Sequence, residues 1–218
     1  MLPLRDSTPR RSFPFINYLI IFVNIFIFLI QLSAPSFEEF VYTWGFVPAR
    51  FSPFEGQFYK YIFFSMWLHG GWFHLLSNLW FLHIFGDNVE DRLGHLRYLI
   101  FYISAGFAAA FLQYVFALGS IVPMIGASGA ISGVAGAYFV LFKRSKIEAL
   151  VPGFFGFWHV VELPSWFFLG YWFVIQLFNG LGSLVVFDIN TGGVAWFAHI
   201  GGFLLGYYVG KKITKIYN

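Results

Sequence analysis

The chain carries six apolar segments, and these constrain its fold more than any other feature of the sequence. They comprise residues 15–32, 73–85, 98–118, 127–142, 166–186 and 195–209. A membrane-spanning helix needs about 20 predominantly apolar residues, so three segments are long enough and the second, fourth and sixth are short. In lipid, helices satisfy every backbone polar group internally. We therefore predict an all-α polytopic membrane protein, a bundle of six transmembrane helices whose short members open into a water-filled cavity.

The overall composition agrees with a lipid-facing surface. Hydrophobic residues make up 59% of the chain and charged residues only 11%, against about 25% charged in soluble domains. Membrane lipid is therefore an expected partner. The sequence contains no cysteine, which excludes disulfides, thiolate nucleophiles and zinc–thiolate sites. The net charge of +3 is spread over loops instead of forming a basic face, so no nucleic-acid binding is expected.

The basic residues also predict an orientation. Of the 13 Lys and Arg residues, all but Arg50 and Lys60 fall on one side of the six-span arrangement. Because basic loops stay on the cytoplasmic side, we predict a multi-pass protein of the cell membrane with both termini cytoplasmic. Residues 1–14 then form a cytoplasmic N-terminal segment, residues 15–210 a six-span domain and residues 211–218 a cytoplasmic tail.

Two connecting stretches do not have the pattern of a span. Residues 33–60 mix aromatic residues with prolines and are predicted to form an outer-face element lying partly in the membrane interface. Residues 150–164 are apolar but interrupted by proline and glycine. Their sequence leaves open whether they form a re-entrant piece or an interfacial linker.

A serine and a histidine stand out in two of the short segments. Ser128 lies near the beginning of the fourth segment, flanked by Gly126 and Gly129, and His199 lies in the sixth, followed by Gly202 and Gly206. A histidine close to a serine hydroxyl can activate it as a nucleophile, and ionisable residues within spans indicate function. The small residues predict close packing of the two helices. The alternatives are that they serve packing alone and that His199 bonds a backbone carbonyl.

A second serine, Ser132, lies one turn after Ser128 on the same helix face. Ser128 is the better candidate because unpaired backbone N–H groups remain at the beginning of a helix. His74 and Asn78 lie four residues apart and therefore share one face of the second helix. Both can donate hydrogen bonds to a developing oxyanion while neutral. Their alternative role is hydrogen bonding between helices.

These motifs together resemble those of the rhomboid family of intramembrane serine proteases. The resemblance runs from about residue 57 to residue 210. The family's GxSG motif is found at residues 126–129, and its AHxxGxxxG motif at residues 198–206. Its HxxxN motif is His74 with Asn78, and its GxxxExxxG motif centres on Glu90, which we expect to cap or staple a loop.

The resemblance implies the rhomboid type of six-helix bundle and a serine endopeptidase that cleaves transmembrane segments of membrane proteins. Ser128 would be the nucleophile and His199 the general base of a Ser-His dyad that works through an acyl-enzyme. His74 and Asn78 would stabilise the oxyanion. No metal or cofactor is implied, and the sequence does not indicate an oligomeric state.

Two other classes of function compete with a protease. A catalytically inactive rhomboid-like protein that binds membrane clients would share the fold, but such proteins usually lack the serine or the histidine. A channel or transporter would show polar residues lining a pore on several spans. The scattered polar residues Asn24, Gln113, Gln176 and Asn179 have no evident pairing and are interpreted as hydrogen-bonding groups between helices.

Overall fold

The computed structural model describes residues 1–153, 157–185 and 193–217. Most of them are helical. The α-helices in these ranges are α1 Phe15–Ser33, α2 Phe37–Trp44, α3 Gly56–Ser65, α4 Trp72–Leu93, α5 His95–Phe116, α6 Ser128–Leu141, α7 Ser165–Val185 and α8 Trp196–Tyr217. A short 3-10 helix spans Pro48–Arg50, and the strands are β1 Leu2–Asp6, β2 Lys146–Pro152 and β3 Trp158–Pro164.

Each of the six predicted apolar segments forms a helix: α1 and α4 to α8. Among the described residues, α1, α5 and α7 are long and apolar enough to cross a membrane, and α6 is a shorter apolar helix. Helix α4 extends beyond its predicted end because polar turns continue it to Leu93, where Gly94 with φ +80° ends it. The chain is thus a multi-pass membrane protein, while the count of six spans stays a prediction.

The all-α prediction is wrong in one respect, because the three strands form an antiparallel sheet in the order β1-β2-β3. Residues 150–164 contribute to β2 and β3, which lie between α6 and α7; residues 154–156 lie outside the described part. Buried Ile147 and Ala149 alternate with the more exposed Lys146 and Glu148. This period of two is typical of a half-buried strand.

Strand β1 is fixed to the helices by Asp6. The Tyr138 hydroxyl donates a 2.5 Å hydrogen bond to Asp6 Oδ2, and Asn88 Nδ2 donates another at 3.0 Å. Burial raises the pKa of the Asp6 carboxyl, although the hydrogen bond from Tyr138 opposes the rise. The segment that precedes the first predicted span is therefore an ordered part of the fold.

Glu90 joins α4 to the beginning of α1. Its side chain is fully buried and accepts hydrogen bonds from Ile16 N at 2.9 Å and Asn17 N at 2.7 Å. The first N–H groups of a helix have no partner within the helix, and α1 has no acidic residue of its own in its first turn. The prediction that Glu90 acts as a cap is confirmed.

Helix α6 lies at the centre of the core, with every residue from Gly129 to Tyr138 buried. Its backbone packs directly against α8. A Cβ atom added at Gly202 would lie 1.9 Å from the Gly129 carbonyl oxygen, and one at Gly206 would lie 1.8 Å from that of Gly133. The predicted close packing of the two helices is confirmed, and it brings the beginning of α6 next to α8.

Candidate active site

Ser128 is the first residue of α6. The preceding residue, Ala127, is at the N-cap position and makes no side-chain hydrogen bond to the N–H groups of the first turn. Gly126 enters this turn with φ +123°, a conformation that L side chains rarely adopt. The Ser132 hydroxyl donates a 2.6 Å hydrogen bond to the Ser128 carbonyl oxygen. Ser132 is therefore engaged within its own helix, whereas Ser128 stands at the open end.

A cavity of about 170 Å³ brings three of the four predicted site residues together. It is lined by Ser77, Asn78, Phe81, Ser128, Ile131, Ser132, Ala135, Trp172 and His199. These lining residues come from helices α4, α6, α7 and α8. None of these described lining side chains is acidic, so the described part of the cavity offers neutral donors and acceptors to a developing charge.

His74, the fourth predicted residue, lies beside the turn that leads into α6. Gly70 N–H donates a 3.2 Å hydrogen bond to His74 Nδ1, so in the neutral ring the proton is on Nε2. A Cβ atom at Gly126 would lie 2.7 Å from His74 Nε2 and 3.7 Å from Ser128 Oγ. His74 thus presents an N–H donor close to the serine.

Asn78 supplies a second donor. The residue is 6% exposed, and its Nδ2 atom is buried with no hydrogen-bond partner among the described residues. Unpaired buried donors are rare in folded proteins and call for a specific explanation. Interhelical hydrogen bonding does not explain Nδ2, because that role requires a partner on another helix.

His199 is half-buried and makes a hydrogen bond that the sequence did not predict. Its Nδ1 atom lies 2.8 Å from Gln176 Oε1 on α7. The Trp172 ring, one turn before Gln176, lies at 5.8 Å from the imidazole, with 34° between the ring planes. The interpretation of Gln176 as a hydrogen-bonding group between helices is confirmed, but the sequence did not indicate that its partner is a candidate catalytic side chain.

Gln113 also makes a hydrogen bond between helices, as predicted. Its Oε1 atom on α5 accepts a 3.1 Å hydrogen bond from Ala198 N, the residue before His199. The sequence offers no local signal for the partner of either glutamine, because each glutamine lies on a different helix from its partner. A polar residue on an otherwise apolar helix was the only available indication.

Comparison with known proteins gives the family. The family model described as Rhomboid domain matches residues 55–216. The chain is 32% identical over 146 residues to RHOMBOID-like protein 6, mitochondrial, of Arabidopsis thaliana, which covers 67% of this chain and 41% of the relative. It is 30% identical over 154 residues to Presenilin-associated rhomboid-like protein A, mitochondrial, of Danio rerio, covering 67% and 36%.

A third relative is Rhomboid-like protein 11, chloroplastic, of Arabidopsis thaliana. The chain is 30% identical to it over 152 residues, which cover 67% of this chain and 50% of the relative. The chain therefore spans half or less of the length of these relatives. Because the family match extends over most of the sequence, the chain belongs to the rhomboid family.

Proposed function

We propose that the protein is a serine-type intramembrane endopeptidase that cleaves transmembrane segments of membrane proteins through a Ser-His dyad. The observation that carries the proposal is the cavity in which Ser128, His199 and Asn78 meet at the uncapped beginning of α6. A nucleophile, a base and an unpaired donor within one cavity are the components needed for acyl transfer.

In the first step, His199 accepts the Ser128 hydroxyl proton while Ser128 Oγ attacks the substrate carbonyl carbon. The carbonyl oxygen becomes an oxyanion. His199 then gives its proton to the leaving amine, and the C–N bond breaks to leave an acyl-enzyme on Ser128. Water hydrolyses this ester with His199 again acting as the base, which restores the free serine.

The oxyanion would be held by three donors: Asn78 Nδ2, His74 Nε2–H and the Ser128 backbone N–H. Asn78 Nδ2 has no hydrogen-bond partner among the described residues, and this state and the proton position on His74 support the role. Removing one donor from such a site costs about 3 to 4 kcal/mol of transition-state stabilisation. No metal or cofactor enters the mechanism.

The location of the cavity between α4, α6, α7 and α8 supports membrane proteins as the substrate class. A substrate helix keeps its scissile carbonyl in an intrahelical hydrogen bond, so cleavage favours segments that unwind readily, such as those containing glycine. We place the protein in the cell membrane, with residues 1–14 and 211–218 cytoplasmic and six spans within residues 15–210. In this arrangement α4, α6 and α8 also cross the bilayer and Ser128 faces the outer side.

The experiment is cleavage of a model transmembrane substrate in liposomes by the wild type, Ser128→Ala and His199→Ala. Both variants are expected to lose turnover while keeping the wild-type melting temperature. Ser132→Ala serves as the matched control and is expected to stay active, because its hydroxyl is bonded to the Ser128 carbonyl oxygen. Substantial turnover by Ser128→Ala would refute the dyad. Client binding without cleavage by the wild type would instead favour an inactive rhomboid-like protein.

A further inference from the structure

Gln176 uses both ends of its side-chain amide, and this fixes which way the amide points. Its Nε2 atom donates a 3.2 Å hydrogen bond to the Trp172 carbonyl oxygen. A carbonyl oxygen can only accept, so the NH₂ group must be on that side. The atom facing His199 Nδ1 at 2.8 Å is therefore Oε1, which is itself only an acceptor.

The orientation of the amide determines the tautomer of His199. Because Oε1 can only accept, His199 Nδ1 must carry a hydrogen and donate it. In the neutral imidazole, Nε2 is then the unprotonated nitrogen and holds the lone pair that a general base needs. The hydrogen bond from Gln176 Nε2 to the Trp172 carbonyl oxygen thus determines that His199 Nδ1 is the protonated nitrogen in the bond to Gln176 Oε1.

We propose that Gln176 is a positioning residue that holds His199 as the Nδ1–H tautomer, with Nε2 free to accept the Ser128 proton. The inference rests on the proposed function and adds a third residue to the dyad. When Nε2 takes the proton, the imidazole becomes an imidazolium, and the bond from Nδ1–H to Oε1 becomes charge-assisted. Gln176 stays neutral throughout because its amide oxygen only accepts this hydrogen bond.

The surroundings of Gln176 favour this positioning role over a general role in hydrogen bonding between helices. The side chain is 4% exposed, and none of the described residues that line the cavity is acidic and able to stabilise the imidazolium in its place. Trp172, one turn earlier on α7, packs near the imidazole and limits its rotation. Helix α7 therefore supplies both a hydrogen-bond acceptor for His199 and a ring beside it.

The test compares Gln176→Leu, which removes the acceptor, with Gln176→Glu, which keeps an acceptor oxygen at the same position. Gln31→Leu is the matched control. Gln31 is also buried and uses both amide atoms, donating to His69 O at 2.8 Å and accepting from His69 N at 3.1 Å. The readouts are kcat, KM, the pH profile of kcat/KM and the melting temperature, measured with a model transmembrane substrate in liposomes.

Gln176→Leu is expected to lower kcat by about 10- to 100-fold with little change in KM, since a charge-assisted hydrogen bond to the transition state is lost. The acidic limb of this variant's kcat/KM profile should move to lower pH because the imidazolium loses its hydrogen-bond acceptor. Gln176→Glu should recover most of the rate, and its carboxylate should move the limb to higher pH by about 1 to 3 units. Gln31→Leu should have a lower melting temperature than the wild type but the same acidic limb in its kcat/KM profile.

A wild-type kcat in Gln176→Leu would overturn the inference. A Gln176→Glu variant with a kcat as low as that of Gln176→Leu and the acidic limb of the wild-type pH profile would also overturn it. If Gln176→Leu fails to fold, a Gln176→Glu variant that is at least about 10-fold slower than the wild type, with that limb unmoved, overturns the inference on its own. Ser128→Ala in the same assay separates the two proposals. If it retains turnover, the proposed function fails, whereas if it is inactive and Gln176→Leu is unimpaired, only the role of Gln176 fails.

Discussion

Gly202→Ala tests whether backbone contact between α6 and α8 assembles the site. The added Cβ would lie 1.9 Å from Gly129 O and 3.0 Å from Gly129 C. Ordinary contact begins at 3.4 Å, so the two backbones would have to separate by the difference between 3.4 and 1.9 Å, about 1.5 Å. Gly129 adjoins Ser128, and Gly202 is one turn from His199, so the separation falls at the dyad.

Both stability and activity should respond. Overpacking costs about 1 to 3 kcal/mol, and we expect the upper end because the clash with Gly129 is with rigid backbone. For a chain of this size, about 3 kcal/mol corresponds to a melting temperature lower by roughly 6 to 12 °C. A misplacement of about 1 Å in a catalytic geometry can cost roughly 100-fold in rate, so turnover should fall at least that far.

The assay measures thermal unfolding in detergent and cleavage of a transmembrane substrate at a temperature where the variant is folded. Gly182→Ala is the control, because this exposed glycine lies within α7 and an added Cβ meets nothing within 4 Å. Alanine there should be neutral or stabilising by up to about 1 kcal/mol. A Gly202→Ala protein with the wild-type melting temperature and turnover would refute the close packing on which the site depends.

Three further predictions use other parts of the molecule. Asn78→Ala should lower kcat by roughly 100- to 1,000-fold with KM little changed; equal activity with a lower melting temperature would contradict an oxyanion role. Burial raises the Asp6 pKa above the ordinary 3.8, so its stabilising effect is present in acid and is lost as pH rises through the folded-state pKa. Asp6→Asn should remove this loss of stability, so its melting temperature should vary less with pH than that of the wild type. A reporter fused to the C-terminus should read as cytoplasmic, and an external signal would reverse the orientation.

The helices were predictable because their apolar composition is a local property of the sequence. The glycine pattern at Gly202 and Gly206 also indicated close packing, since a small-residue stripe has few other uses in a membrane helix. The sheet was not predicted. Strand β2 pairs with residues at the N-terminus, and Leu2 opposite Leu150 is a pairing that no local pattern specifies.

Some residues of the candidate site could likewise be predicted from a local sequence pattern, whereas others are recognised only in the folded protein. Ser128 and His199 could be singled out because each lies in a recognisable small-residue stretch of its own segment. Gln176 could not, since its role depends on the angle at which α7 packs against α8 and on a hydrogen bond across 23 residues of chain. The proton positions on His74 and His199 likewise follow from Gly70 N–H and Gln176 Oε1, which are contacts made only in the folded protein.

The most direct test of the central claim is the reaction of the purified protein with a fluorophosphonate, followed by peptide mass mapping. The adduct is expected on Ser128, and His199→Ala should abolish labelling because the hydroxyl then loses its base. An adduct on Ser132, or labelling that persists unchanged in His199→Ala, would contradict the assignment of Ser128 and His199 as the reacting pair.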